Sequence, residues 1–194
     1  MGTLKTTNIQ TITGSGTLTL GTSGETLALG SGVTVSGNGL VGITMADQWR
    51  LTATTNSGTN ADITTNWERN DNSSYGSIGT GLTESSGIFS FSQTGIYLII
   101  GSFQVITQSD AAAGVRLLTT LDNSSYTTDA RGYAGDNDTA SVYGMATFLS
   151  IFDVTNISTH KMKFDTTSFA GSTRLTGNTD IQHSGFTCLR IGDT

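Results

Sequence analysis

Ser86-Gly-Ile-Phe-Ser-Phe-Ser-Gln-Thr-Gly-Ile-Tyr-Leu-Ile-Ile-Gly-Ser-Phe-Gln-Val-Ile106 reads as two β-strands joined at Gln93-Thr94-Gly95. The first alternates. Ile88 and Ser90 point one way and Phe89 and Phe91 the other, so one face is dry and one wet. The second does not alternate: Ile96, Leu98 and Ile100 share one face, and Tyr97, Ile99, Phe103 and Val105 share the other. A strand apolar on both faces is covered on both. In a sandwich one cover is the opposite sheet, and the other is read here as a second and third copy of the same chain.

Around this pair, the 194-residue chain carries only 12% charged residues, 25 Gly and no Pro. Such a chain makes short strands and tight turns, and its turns fall to Gly, Asn and Asp. No stretch sustains a helical period. A formal charge of −6 leaves no Lys/Arg stripe to neutralise phosphates, which argues against nucleic acid and against an anionic membrane surface. No apolar run approaches a membrane span, so no membrane insertion is expected. The opening Met1-Gly-Thr-Leu-Lys-Thr-Thr-Asn8 lacks the apolar core of a signal peptide. A lone cysteine, Cys188, excludes an internal disulfide framework. Manufacture in a host cytoplasm followed by display on a virion surface reconciles an extracellular-looking composition with the missing export signal.

Three segments follow. Residues 1–14 hold sparse apolar positions (Leu4, Ile9, Ile12) and are expected to attach to other virion proteins. Residues 15–44 are quasi-repetitive, with Thr17-Leu18-Thr19-Leu20, Thr26-Leu27-Ala28-Leu29 and Val33-Thr34-Val35 punctuated by glycines. Burying an aliphatic side chain recovers ~1.5–3 kcal/mol, while ordering one backbone costs ~1–2 kcal/mol. A handful of aliphatics therefore cannot order this stretch unaided. Three copies wound around an axis share one core, so Leu18, Leu20, Leu27 and Leu29 are expected at a trimer interface in a β-rich, intertwined stalk. Residues 45–194 form the head. Strands are expected near Trp49–Ala53, Ile63–Arg69, Val115–Leu121, Ser141–Asp153, His160–Asp165 and Phe186–Ile191, with a Gly- and Asp-rich loop over Arg131–Asp138. That spacing predicts an all-β, antiparallel jelly-roll sandwich.

Three motifs carry a resemblance. Ser86-Gly-Ile-Phe-Ser-Phe, then Gln93-Thr-Gly-Ile-Tyr-Leu-Ile, then Ser184-Gly-Phe-Thr-Cys-Leu resembles the trimeric jelly-roll heads of the complement first-component q and tumour necrosis factor superfamily. The Asn70…Tyr75 spacing also fits, and the likeness covers roughly Trp49 to Ile191. The resemblance implies a homotrimer in which Tyr97 sits toward the threefold axis, with Ile99 and Phe103 on the same face. The opening Thr3-Leu-Lys-Thr-Thr-Asn-Ile-Gln and the Gly/Thr/Leu repeats are similar to structural proteins of tailed phages, especially of cyanobacterial hosts. The chain lacks the collagen triplets of many animal members and a Cys in its Gly-x-Phe strand, which counts against their immune or hormone roles.

Little in the chain points to catalysis. His160 and His183 are the only histidines and sit among strand-like residues, and Cys188 reads as a small buried hydrophobe. No Ser-centred elbow, phosphate loop or zinc spacing is present, and no carboxylate pair suggests a depolymerase. In Asp136-Asn137-Asp138-Thr139 alternating oxygens suit calcium, but the calcium-loop series is not completed, so a solvated turn with no cofactor is expected. Tyr75, Tyr126 and Tyr133 lie beside Asn, Asp and Ser in expected loops. With Asp136 and Asp138 they are the candidate ligand-binding residues, since aromatic faces with polar partners serve sugar and protein recognition. The sequence thus predicts a non-enzymatic, homotrimeric virion fibre or appendage that binds a host glycan or receptor. The alternative is a capsid-decoration, collar or tail component with no receptor role.

Overall fold

Alternation of burial along the chain is the organising pattern of the head. The computed structural model describes residues 42–108, 112–135 and 141–194. Within these, eleven strands follow in order: β1 (Met45–Leu51), β2 (Trp67–Arg69), β3 (Thr83–Ser85), β4 (Ile88–Ser90), β5 (Gly95–Thr107), β6 (Ala113–Thr120), β7 (Thr127–Ala134), β8 (Val142–Val154), β9 (Lys161–Thr167), β10 (Arg174–Leu175) and β11 (Ser184–Gly192). The expected stalk residues Leu18, Leu20, Leu27 and Leu29, and the loop residues Asp136 and Asp138, lie outside the described residues.

The strands form two antiparallel sheets. In sheet A, β5 is central, with β8 on one side and β11, β10, β1 and β2 on the other. Sheet B runs β3-β4-β9-β6-β7. The pair first read as adjacent strands therefore divides: β4 lies in sheet B and β5 in sheet A, so residues 91–94 cross between the layers. This is a jelly-roll sandwich, as its alternation predicts.

Between the sheets lies an aromatic centre. Phe89 packs edge-on against Trp49, Trp67 and Phe186, at centroid distances of 5.3, 5.1 and 4.8 Å. Phe164 reaches Phe186 at 4.8 Å and Phe103 at 5.5 Å. Edge-to-face contacts set the positive ring edge against the negative face of its neighbour, which fixes relative orientation as well as burying area. Gly101 belongs to this inner face. A Cβ built there would meet the Phe148 ring at 2.2 Å, so the bare backbone of β5 makes room for the phenyl of its cross-strand partner.

The two open sides of the sandwich are closed differently. On one side Asp47, fully buried, accepts from the Trp49 indole Nε1 (3.0 Å), the Leu82 amide (2.8 Å) and Arg69 Nε (2.8 Å). Arg69 also donates to the Leu82 carbonyl, tying sheet A to the segment entering β3. On the other side β7 and β8 approach so closely that a Cβ on Gly132 would lie 2.4 Å from the Thr147 carbonyl oxygen.

Strand direction gives the head two poles. Met45 at the start of β1 is paired with Arg190 near the end of β11, so the chain enters and leaves at one pole. Arg190 is buried there, donating to the Thr94 carbonyl (2.8 Å) and Thr44 Oγ1 (3.0 Å) and pairing with Asp193. Loops 121–126 and 155–160 lie at this entry pole. Loops 52–66, 168–173 and 176–183 lie at the far one.

Candidate functional site

The outward face of sheet A is built by the even-numbered residues of β5 and their partners. Leu98 stands opposite Ile151 on β8 and Leu189 on β11, and Ile100 opposite Leu149 and Thr187. Leu149 is 69% exposed, Ile151 61% and Ile100 43%. These side chains form an apolar patch toward the entry pole. Ser102 and Thr147 follow, and beyond them Met145 and Tyr143 are exposed nearer the far pole. Scattered surface aliphatics need no explanation, but a contiguous row on two long neighbouring strands marks a contact surface.

Across β11 and β1 the same face turns polar. Gln48 donates to Thr187 Oγ1 at 3.1 Å. Beside it Arg50, only 1% exposed, is the largest fully buried side chain of the described residues. It pairs with Glu68 (2.9 Å) and Asp71, and donates to Asn70 Oδ1 (3.2 Å) and Asn72 Oδ1 (3.0 Å). Every side-chain partner of Arg50 comes from β2 or from residues 70–72, so this arginine fastens that loop onto the sheet. A buried guanidinium needs its charge and its donors satisfied together, and this one has both.

Tyr97, Ile99 and Phe103, expected to meet sister subunits, face the other way. All are fully buried inside their own protomer. Tyr97 packs against Phe91 with the two rings tilted, centroids 4.6 Å apart, and donates its hydroxyl to the Gln93 carbonyl at 2.7 Å. Burial pushes its phenol up to about 12, with the nearby Cys188 adding to the rise and Arg190 opposing it. The expectation that β5 is apolar on both faces holds, but its assignment of faces is reversed. The Tyr97 face is the one the opposite sheet covers, and the Ile100 face is the one left open.

Of the candidate ligand residues, the described ones, Tyr75, Tyr126 and Tyr133, are not brought together. The Tyr75 hydroxyl accepts from the Gln48 amide (2.6 Å) and is held against Asp47; burial raises its pKa, and the Asp47 carboxylate adds to the rise. Tyr126 lies at the entry pole, with Lys163 Nζ 4.5 Å from its ring centroid. Tyr133 belongs to strand β7 rather than to a loop, toward the far pole, and is 44% exposed. The Gly and Asp residues around it suggested a loop; pairing with β6 makes Thr127–Ala134 a strand instead. Cys188 is fully buried, and desolvation, reinforced by Asp47, drives its thiol far above the ordinary range, so it is no nucleophile. Among the described residues no cluster of His, Cys, Asp and Glu could hold a metal ion.

Asp47, Arg50 and Arg69 were not singled out from the sequence. The available signal was a charged residue at an inward position, Asp47 between Met45 and Trp49, in a chain poor in charge. A charge there demands a buried partner.

No family model matches this chain, and no curated protein matches it. Among solved structures it is similar to Eiger TNF from S. frugiperda, with a TM-score of 0.62 at 12% identity over 78% of this chain and 95% of that one. Murine APRIL at pH 5.0 gives a TM-score of 0.56 at 13% identity, over 76% and 98%. PRD1 vertex protein P5 overlaps more loosely, at a TM-score of 0.45 and 18% identity over 78% and 99%. At these identities the first two likenesses are likenesses of fold: the head has a TNF-like jelly roll.

Proposed function

We propose that the chain is a homotrimeric virion appendage whose head binds a host surface and catalyses no reaction. The observation that carries the reading is the open apolar row of Leu98, Ile100, Leu149 and Ile151 on a sheet whose other half is sealed by polar partners. A ring of three identical chains buries such a row through a head-to-tail contact, in which the row meets a different surface of the next copy. Segment 1–14 attaches to the particle, and 15–44 winds into a stalk through Leu18, Leu20, Leu27 and Leu29. The head then offers three equivalent surfaces, so that weak contacts with a glycan or receptor add by avidity.

Light scattering on the purified full chain tests the assembly. Three chains of 20.2 kDa give about 61 kDa, whereas a mass of one chain at micromolar concentration overturns it. Labelled protein titrated onto cyanobacterial cells tests recognition, and the expected result is saturable binding that a monomeric variant loses. Imaging of antibody-labelled particles separates the rival role, because label over capsid faces rather than at a tail tip indicates decoration.

A further inference from the structure

The outward face of sheet B is charged where that of sheet A is apolar. The whole chain has nine Lys and Arg, and four of them, Arg116, Arg131, Lys161 and Lys163, lie on β6, β7 and β9. Arg116 and Arg131 are direct cross-strand partners. Like charges in that position repel and weaken the pairing. Arg116 is relieved by a two-pronged bond to Asp165, with Nε to Oδ1 at 2.8 Å and Nη2 to Oδ2. Arg131, exposed at the sheet edge, has no carboxylate in ion-pair reach among the described residues.

Arg131 lies instead beside an aromatic ring, its guanidinium carbon 5.6 Å from the Tyr133 centroid. Tyr133 pairs across the ladder with Gly114, and a Cβ on Gly114 would meet the ring at 2.7 Å. The ring therefore settles on bare backbone and is held in place while nearly half exposed. A sequence that departs from local consistency without a structural return does so most often at a functional position. Here the departure is an arginine pair, one member without a carboxylate partner among the described residues, next to a fixed aromatic surface.

We propose that Tyr133 and Arg131, with Arg116 behind them, form a platform for an acidic sugar, a pyranose bearing a carboxylate. The C–H face of the sugar lies on the Tyr133 ring, and the planar carboxylate takes the fork of Arg131, whose donors match it in geometry. Arg116 is matched by Asp165, so Arg131 is the cation that faces the ligand. The platform sits toward the far pole on the sheet opposite the apolar row, so three subunits present three copies. The proposal rests on the reading of the head as an adhesive module and names the class of ligand it adheres to.

Calorimetry on the full chain tests it, with hexagalacturonate as probe, maltohexaose as the neutral counterpart and sulfate as a bare anion. Hexagalacturonate is expected to bind at least tenfold more tightly than maltohexaose and to resist displacement by sulfate added in excess over the sugar. Arg131→Gln and Tyr133→Leu are each expected to weaken binding at least tenfold, with the exposed Leu121→Ala unchanged. All three must keep the wild-type melting temperature, which excludes misfolding. Equal binding of both sugars, displacement by sulfate, or full binding by Tyr133→Leu overturns the platform. Wild-type chain that adheres to cells but ignores hexagalacturonate overturns the platform and leaves the adhesion reading standing. Chain that binds hexagalacturonate yet adheres to no cell overturns the adhesion reading and keeps the platform.

Discussion

Leu149→Asp separates assembly from folding. Leu149 is 69% exposed in the protomer, so its substitution leaves the fold almost untouched, with a change in protomer stability within about 0.5 kcal/mol. In the proposed trimer the same position is dry. Full burial of a leucine is worth ~1.5–3 kcal/mol, and roughly two thirds of that, ~1–2 kcal/mol, remains to be gained on assembly. Replacing the leucine by a carboxylate forfeits this and strands a charge in the contact, at a further cost of several kcal/mol. Each interface then weakens by about 4 kcal/mol or more, roughly a thousandfold in its association constant. Light scattering across a dilution series reads the mass, and urea unfolding of the dissociated variant reads the protomer. Phe103→Ala provides the contrast. Phe103 is fully buried in the protomer, so it lowers unfolding stability by ~3–5 kcal/mol with no selective loss of assembly. If Leu149→Asp stays trimeric at the wild-type dissociation concentration, the apolar row is not the contact surface and the reasoning fails.

Two further outcomes follow from buried polar groups. Asp47→Ala removes the acceptor shared by Trp49 Nε1, the Leu82 amide and Arg69. It should cost ~3–5 kcal/mol and expose residues 70–82 to chymotrypsin, which cleaves after Tyr75; an unshifted urea midpoint with an intact loop contradicts this. The Tyr97 phenol is raised from 10.0 to about 12 in the folded chain. Its contribution to stability is therefore complete below pH 10 and disappears as pH climbs from 10 toward 12. The Cys188 thiol, also raised by burial, acts in the same direction. Tyr97→Phe keeps the ring packing and should flatten the alkaline fall in melting temperature, so a slope equal to wild type disproves the assignment.

The sandwich was legible because alternation in the strands is a local signal. Phe89 and Phe91 against Ile88 and Ser90 named the inner face of β4 and its continuation without any knowledge of partners. On β5 the same logic stalls, since both faces are apolar and parity alone does not say which is inside. One residue held the missing information. Gly101 shares parity with Tyr97, and its missing side chain makes sense only beneath a ring such as Phe148. Composition also misled at β7, where Arg131, Gly132 and Gly135 look like loop residues, yet Gly132 is demanded by the close approach of the Thr147 backbone. Identical words diverge too. Asp-Asn-Ser-Ser-Tyr occurs at 71–75 and 122–126. Asp71 pairs with Arg50, whereas Asp122 accepts the Ser124 and Ser125 amides in a turn with Asn123 at φ 59°. The difference is the presence of Arg50, far away in sequence.

The pairing of Met45 with Arg190 has a practical corollary for labelling. A reporter fused after Thr194 departs beside the incoming polypeptide, on the side held by the Arg190 clasp. A peptide spliced at Gly171, where a Cβ would meet nothing within 4 Å, emerges from the opposite end. Gold or antibody directed at the two grafts should mark the base and the summit of the head, giving micrographs an internal compass for the direction in which it points.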